Sequence, residues 1–441
     1  MKKLIAVCFV ACFVFASCDK DETTSEKFST QTVEQNKAIV EESGVQFVQS
    51  MNRMESLQSI DVMMSFGNLG IPGSKGTVQN IPTMDAILNV AKGNATIGNV
   101  FSAMSSPDPQ ILWQGVLGTY TWSKILHQWI FVAGGTKAIF LFPSSESALT
   151  NDATLTLSNF TSTTITDPMD PDLPSKFPAS LNIELKKGDN ALMSYAFSAT
   201  YNANGIPSMI ASDLTLETFK WEVDLTNNSS EVSVNYKLSE SSKVVLDLGM
   251  GGKGNFTVEN YDANTKTMSE TYTYTDYEYN PITQDWDEHE VTATDTWEET
   301  EFEEIINSAN AHFQLFNVVL RGDINIKAFM DQMRTLDANE TIQEDAYFKA
   351  MADEINKNLN LRLVNAANNE IMAKAEAYVT HQVYNWGDDY DVDFRLTFGD
   401  GSLADVETYF NQGFADFITA VNDLISDINT DFGANLEPVG K

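Results

Sequence analysis

The sequence predicts an α+β fold: N-terminal helices packed on a large antiparallel sheet system, with a long amphipathic helix at the C-terminal end. Three observations predict it. Apolar residues recur at three- and four-residue steps through Val40, Phe47, Met51, Met54 and Leu57, and from Gln114 the apolar period falls to two. Short links punctuate the alternating stretches, among them Gly188-Asp189-Asn190, Asn204-Gly205, Asn227-Asn228 and Ser241-Ser242. Such links join antiparallel neighbours, because a parallel pair needs a crossover of about a dozen residues. Finally, Leu403, Val406, Phe410, Phe414, Phe417, Val421, Leu424, Ile428 and Phe432 make one apolar stripe, with Ser402 and Asp405 as a capping pair.

The first helix runs over 40–57 and ends before Gly67 and Pro72, its methionines serving as core filler. A second starts at Thr83, carries Met84, Ile87, Leu88, Ile97, Val100, Phe101 and Met104, and stops at Pro107 and Pro109. Residues 118–122, 128–132 and 138–142 read as a β-meander. Further strands follow at 154–160, 181–185, 192–201, 209–225, 231–238 and 244–248. The last third mixes strand (312–326), helix (342–359) and strand again (359–378 and 392–398). Leu181-Asn182-Ile183-Glu184-Leu185 echoes Leu359-Asn360-Leu361-Arg362-Leu363, each followed by an Asn-containing turn and a Met-x-x-Ala strand. The division that follows is 1–17 leader, 18–35 tether, 36–110 helical segment packing on the sheet, 111–300 antiparallel β region and 301–441 α+β region with the terminal helix.

Composition narrows the chemistry. The chain of 441 residues holds 27 Lys and Arg against 62 Asp and Glu, a formal net charge of −35. Such a surface repels nucleic acid and anionic headgroups and tolerates divalent cations. The three cysteines are Cys8, Cys12 and Cys18. Past Cys18 there is no thiol, so the body can hold no disulfide, cysteine-ligated metal or cysteine nucleophile.

Lys2 and Lys3 precede an unbroken apolar run over 4–15, and Ala16 and Ser17 lead to Cys18. That is the order of a secretory signal, and a run of about 12 residues falls short of the roughly 20 a membrane-spanning helix needs. Phe15-Ala16-Ser17-Cys18 resembles the lipobox of bacterial lipoproteins, with Phe15 where that family usually has Leu. The resemblance implies that Cys18 is diacylated, that the leader is removed and that the new amino terminus is acylated. Each buried methylene adds about 0.8 kcal/mol to such an attachment. The acidic cluster Asp19-Lys20-Asp21-Glu22 is similar to a surface-export tag of outer-membrane lipoproteins. An Asp directly after the lipidated cysteine also resembles an inner-membrane retention signal, and the density of the cluster favours export. A polar tether rich in Thr, Ser, Glu and Gln continues to Gln35.

Motifs of catalysis fail on spacing. Gly249-Met250-Gly251-Gly252-Lys253-Gly254 lacks the Ser or Thr that a phosphate-cradling loop places after its lysine, and it reads as a glycine-rich hairpin. His127, His289, His312 and His381 show no metal-ligand spacing, and no Gly-x-Ser-x-Gly elbow exists. A glycosidase needs two placed carboxylates, and 62 candidates select no pair. Two acidic clusters are denser: Asp388, Asp389, Asp391 and Asp393 at a strand entrance, and Asp167, Asp170 and Asp172 in a Pro-rich loop. Oxygen ligands of that sort suit Ca2+, although neither cluster has the twelve-residue loop pattern.

The most unusual stretch is 268–304, with thirteen acids, no Lys or Arg, and the aromatics Tyr272, Tyr274, Tyr277, Tyr279, Trp286 and Trp297. Thr-Tyr alternation about Asn280-Pro281 predicts a long hairpin, and the tyrosines change parity between Tyr274 and Tyr277, so that aromatics face both sides or a bulge intervenes. Its aromatic faces suit sugar rings or a partner's apolar patch, and its carboxylates suit hydroxyl donors. Charge on an edge hairpin also guards against strand addition, and the sequence favours that plainer role slightly. The expectation is a lipid-anchored outer-membrane or cell-surface lipoprotein that binds a glycan or an envelope protein without catalysing a reaction. An extracellular glycan hydrolase working through paired carboxylates and an envelope structural or assembly protein are the alternatives.

Overall fold

The computed structural model describes residues 27–69, 109–167, 175–280, 285–339, 341–384, 387–406, 409, 418–423 and 426. Its strands are β1 (Gly118–Ser123), β2 (Gln128–Ala133), β3 (Ala138–Phe142), β4 (Ala153–Thr164), β5 (Lys176–Lys187), β6 (Asn190–Tyr201), β7 (Pro207–Leu216), β8 (Phe219–Asn227), β9 (Glu231–Glu240), β10 (Lys243–Gly254), β11 (Thr265–Asn280), β12 (Asp285–Thr300), β13 (Ile306–Leu315), β14 (Val318–Ile324), β15 (Leu359–Asn365), β16 (Glu370–Tyr384), β17 (Gly387–Thr397) and β18 (Leu403–Asp405). Sixteen of them form one sheet in the order β18-β17-β16-β15-β14-β13-β10-β9-β8-β7-β6-β5-β4-β3-β1-β2. The helices are α1 (Val33–Glu55), α2 (Gln58–Asn68), α3 (Pro109–Val116), α4 (Val258–Asn264), α5 (Ile326–Asp337) and α6 (Glu344–Asn358). The chain is α+β with a large, almost wholly antiparallel sheet.

Alternation sorts most of this sheet into an apolar and a polar face, although across β14–β16 the second face also buries Val319, Val364 and Ile371. Cross-strand register aligns Tyr120, Phe140, Leu155, Leu185, Met193, Leu216 and Phe219 in one ladder, and Leu246, Leu315 and Val318 carry the same face onward. Helices α1 and α2 cross this face as a spine. Val33, Ile39 and Val40 pack on Val318, Leu363 and Leu396, while Phe47, Met51 and Met54 pack on Phe219, Leu238 and Val245. Farther along, Phe66 meets the rings of Phe140 and Phe142 at 5.6 and 4.8 Å between centroids. At about 1.5 Å per residue the two helices reach about 54 Å, against about 62 Å from β17 to β1 at about 4.8 Å per strand. Between them the two helices contribute side chains to three buried clusters spaced along the sheet.

Local chemistry fixes the ends of that spine. Thr32 Oγ1 accepts from the Gln35 amide and the Thr32 amide donates to Gln35 Oε1, a capping box that starts α1 at Val33, inside the stretch expected as tether. Before it, the Ser29 amide donates to the Ile371 carbonyl at 2.8 Å, so that 27–31 lies bonded beside β16. Near the end of α1, Arg53 donates from Nε and Nη2 to the two Glu240 oxygens at 2.7 and 2.6 Å, and Ser50 Oγ donates to Oε2. The guanidinium, then the hydroxyl, hold the Glu240 carboxyl below its ordinary range.

Several expectations need correction. The first strands are no meander: β1 pairs antiparallel with β2 but parallel with β3, because β2 itself serves as the crossover. Gln114 lies in α3, and the strand expected over 209–225 breaks at Glu217, whose φ is +53°. Residues 326–337, expected as strand end and link, form α5. The run Gly249–Gly254 is no hairpin; it continues β10. Leu403–Asp405 pairs with Arg395–Thr397 as β18, and Ser402 donates to Asp400, not to a helix cap at Asp405. Of the long C-terminal helix, only Val406, Tyr409, 418–423 and Ser426 are described, all helical; its remainder lies outside the described residues, as do the helix expected from Thr83, the leader with Cys18, and Asp170 and Asp172. The echoed pentapeptides fall in β5 and β15, two strands of the same sheet.

Candidate functional site

The main sheet leaves one element outside it. β11 and β12 form a separate two-stranded ribbon, inserted between β10 and β13, which are themselves sheet neighbours. Sixteen residue pairs run without a register shift from Thr265↔Thr300 to Asn280↔Asp285, about 50 Å of arm at about 3.4 Å per residue. Unbroken register is what a stretch of alternating Thr and Tyr, free of Gly and Pro until the tip, dictates.

The root of the arm is built from polar contacts. The Thr265 and Thr300 hydroxyls lie 3.0 Å apart, and the Glu301 amide donates to the Asn264 carbonyl at the end of α4. Asn260 Nδ2 donates to the carbonyls of Asn255 and Glu304, closing the two chain segments on each other. Lys327 Nζ donates to both Glu304 oxygens at 3.0 Å, and Arg334 of α5 pairs with Glu303. Two cations of one helix therefore hold the acidic end of the arm.

Parity divides the arm into two surfaces. One carries Met268 opposite Trp297, Glu270 opposite Asp295, Tyr272 opposite Ala293 and Tyr274 opposite Val291. The Tyr272 and Tyr274 rings lie 6.0 Å apart at 34°, and the side chains of Tyr272, Tyr274 and Trp297 are 42, 45 and 45% exposed. Tyr272 donates to Asp295, which raises its hydroxyl above the ordinary phenol range. The opposite surface is a hydroxyl stripe: Thr271 with Thr294 at 3.0 Å and Thr273 with Thr292 at 3.4 Å, then Tyr277. Tyr279 and Trp286 stand opposite each other in register at the same parity as Tyr277. No bulge intervenes, so the change of parity places aromatics on both faces. The structure thus brings Tyr272, Tyr274 and Trp297 onto one surface and separates them from Tyr277.

The carboxylates singled out for calcium are not brought together. Along β17 the alternation turns Asp389, Asp391 and Asp393 to one face and Asp388 to the other, where it meets His381 Nε2 at 3.5 Å. Asp391 and Asp393 instead accept the next residues' amides, Val392 and Phe394. Among the described residues no group of three or more His, Cys, Asp and Glu is placed to hold a metal ion. A cavity of about 420 Å³ beside α1 is lined by Gln49, Arg53, Glu240, Lys243 and Phe316 among others, and Arg53 and Ser50 occupy its carboxylate.

Two arrangements on the polar face escape sequence spacing. His312 lies opposite Gly249 and its Nε2 is 3.0 Å from Asp247 Oδ1. A Cβ on Gly249 would stand 2.3 Å from His312 Cε1 and 2.4 Å from Asn235 Oδ1, so glycine here makes room for its neighbours' side chains. Next to His312 the register places Arg321 opposite it, Arg362 opposite Arg321, and Lys374 opposite Arg362. The only sequence signal was Arg362 in its echoed pentapeptide, since the row exists through strand pairing alone. Comparison with protein-family models, with curated proteins and with solved structures finds no match. No described helix is long and apolar enough to cross a membrane.

Proposed function

We propose that the protein is a lipid-anchored lipoprotein of the outer membrane or cell surface that binds a glycan or an envelope protein through its projecting arm, without catalysing a reaction. One observation carries this: a two-stranded ribbon of sixteen pairs stands apart from the main sheet and exposes Tyr272, Tyr274 and Trp297 on one surface. An isolated two-stranded ribbon is marginal in water, so an arm this long gains stability when another surface covers it. The ring faces offer apolar contact, and Glu270 and Asp295 between them offer acceptors for hydroxyl or amide donors. The Phe15-Ala16-Ser17-Cys18 signal supports the anchor, with Cys18 as the acylated residue. The same proposal keeps the terminal stripe as a helix covering the apolar face, supported by Val406 and Tyr409 packing beside Leu396 and Phe398.

The test is binding of the intact protein to panels of envelope glycans and envelope proteins, repeated with Tyr274→Ala and Trp297→Ala. Each truncation is expected to weaken binding about tenfold, since a covered aromatic contributes on the order of 1.5 kcal/mol. Full binding by the double variant, or turnover of a labelled polysaccharide, contradicts the proposal.

A further inference from the structure

We propose that the row Arg321, Arg362 and Lys374 on the polar face is a binding site for a phosphate-type oxyanion. Like charges directly opposite each other across strands are destabilising, and here three successive strands, β14, β15 and β16, place cations in one line. The chain as a whole holds more than twice as many acids as bases, so carboxylates were available to alternate with them. The carboxylates nearby serve other groups or only one member of the row. Asp323 Oδ1 accepts from Arg362 Nη2 at 2.8 Å, and Arg362 is almost fully buried. Asp247 takes His312, and Glu376 takes Arg395 Nε and Thr397 Oγ1, both at 3.1 Å. Among the described residues Arg321 reaches the Asn369 side-chain oxygen, at 3.5 Å, and Lys374 lies 5.7 Å over the Phe28 ring. Neither forms an ion pair among the described residues, and both side chains are partly open.

The geometry selects the ligand class. The row is about 10 Å wide at about 4.8 Å per strand, so long side chains from its two ends can converge on one anion. A tetrahedral oxyanion has enough acceptor oxygens to engage two or three donors at once, and arginine's planar fork matches it. The phosphate has two sources: a soluble phosphate ester, or a phospholipid headgroup. The second has a geometric basis, because 27–29 is bonded to Ile371 beside Lys374. From there Cys18 is nine residues away, at most about 30 Å of extended chain. The site itself is independent of the arm, and only the headgroup source rests on the proposed anchor.

The experiment uses the intact protein in neutral detergent, melted at constant ionic strength set with chloride. One arm adds inorganic phosphate, and the other adds phosphatidylglycerol to the micelles with phosphatidylcholine as control. A rise in melting temperature of about 2 °C or more near saturation is expected in at least one arm. Phosphate alone acting identifies a soluble ligand; phosphatidylglycerol alone acting identifies the headgroup. Arg321→Gln and, separately, Lys374→Gln should abolish the rise, while melting at or above the wild-type temperature without ligand because an opposed like charge is gone. No rise in either arm, or the same rise in both variants, overturns the proposal.

Discussion

At position 249 the absence of a single methyl group decides where an imidazole lies. The His312 ring occupies the space a Cβ would fill, and from there it reaches Asp247. Gly249→Ala is therefore expected to push the ring aside and cost about 1–3 kcal/mol, the range of overpacking. In a His312→Ala background the same change should cost less, the close approach to Asn235 Oδ1 being all that is left, and denaturant melts of the four-member cycle measure the difference. Equal costs in both backgrounds would refute the contact. A second residue-scale prediction concerns Glu240. Its folded pKa is depressed by Arg53, so its contribution is present above the ordinary carboxyl range and is lost as pH falls through the folded value. Between pH 6 and pH 3 the wild type should lose more melting temperature than Glu240→Gln, and parallel curves would count against the pairing.

Among the elements, spine and arm answer differently to mutation. Phe66 is buried in α2 against Phe140 and Phe142, and Phe66→Ala should destabilise by about 3–5 kcal/mol. Tyr274→Ala on the arm should change the global stability by no more than about 0.5 kcal/mol, as surface changes do. Reversal of that order in thermal melts would mean that the arm belongs to the core. The elements also show what sequence can carry. Period-two alternation located nearly every strand from Gly118 to Leu248, and helical spacing located α1, because burial on one side writes itself into spacing. The 16-pair arm was legible for the same reason. What spacing could not show is which strands become neighbours. The β1–β3 parallel pair, the line of Arg321, Arg362 and Lys374, and the His312–Asp247 contact all depend on register between residues far apart in the chain. Gly249–Gly254 misled because glycine marks turns more often than strands whose neighbours lean inward.

For the whole molecule, charge is the dominant long-range term. With 62 acids against 27 bases, self-repulsion opposes compaction, and the cations are spent at specific joints such as Arg53–Glu240 and Lys327–Glu304. Raising sodium chloride from 20 to 300 mM shortens the screening length from roughly 20 Å to roughly 6 Å and is expected to raise the melting temperature. A fall would mean that the joints outweigh the net repulsion. Under the proposed function, acidity also keeps neighbouring arms on one surface from pairing edge to edge, leaving their aromatic faces free for a partner.

The claim on which the functional proposal depends is that the arm's aromatic surface makes the contact. Its most direct measurement is a side-by-side titration of the intact protein and the Tyr274→Ala/Trp297→Ala double variant against the same immobilised envelope glycans and proteins, with matched melting curves as the folding control. The account predicts saturable binding by the former and a loss of about a hundredfold in the latter. Undiminished binding by a folded double variant would contradict it.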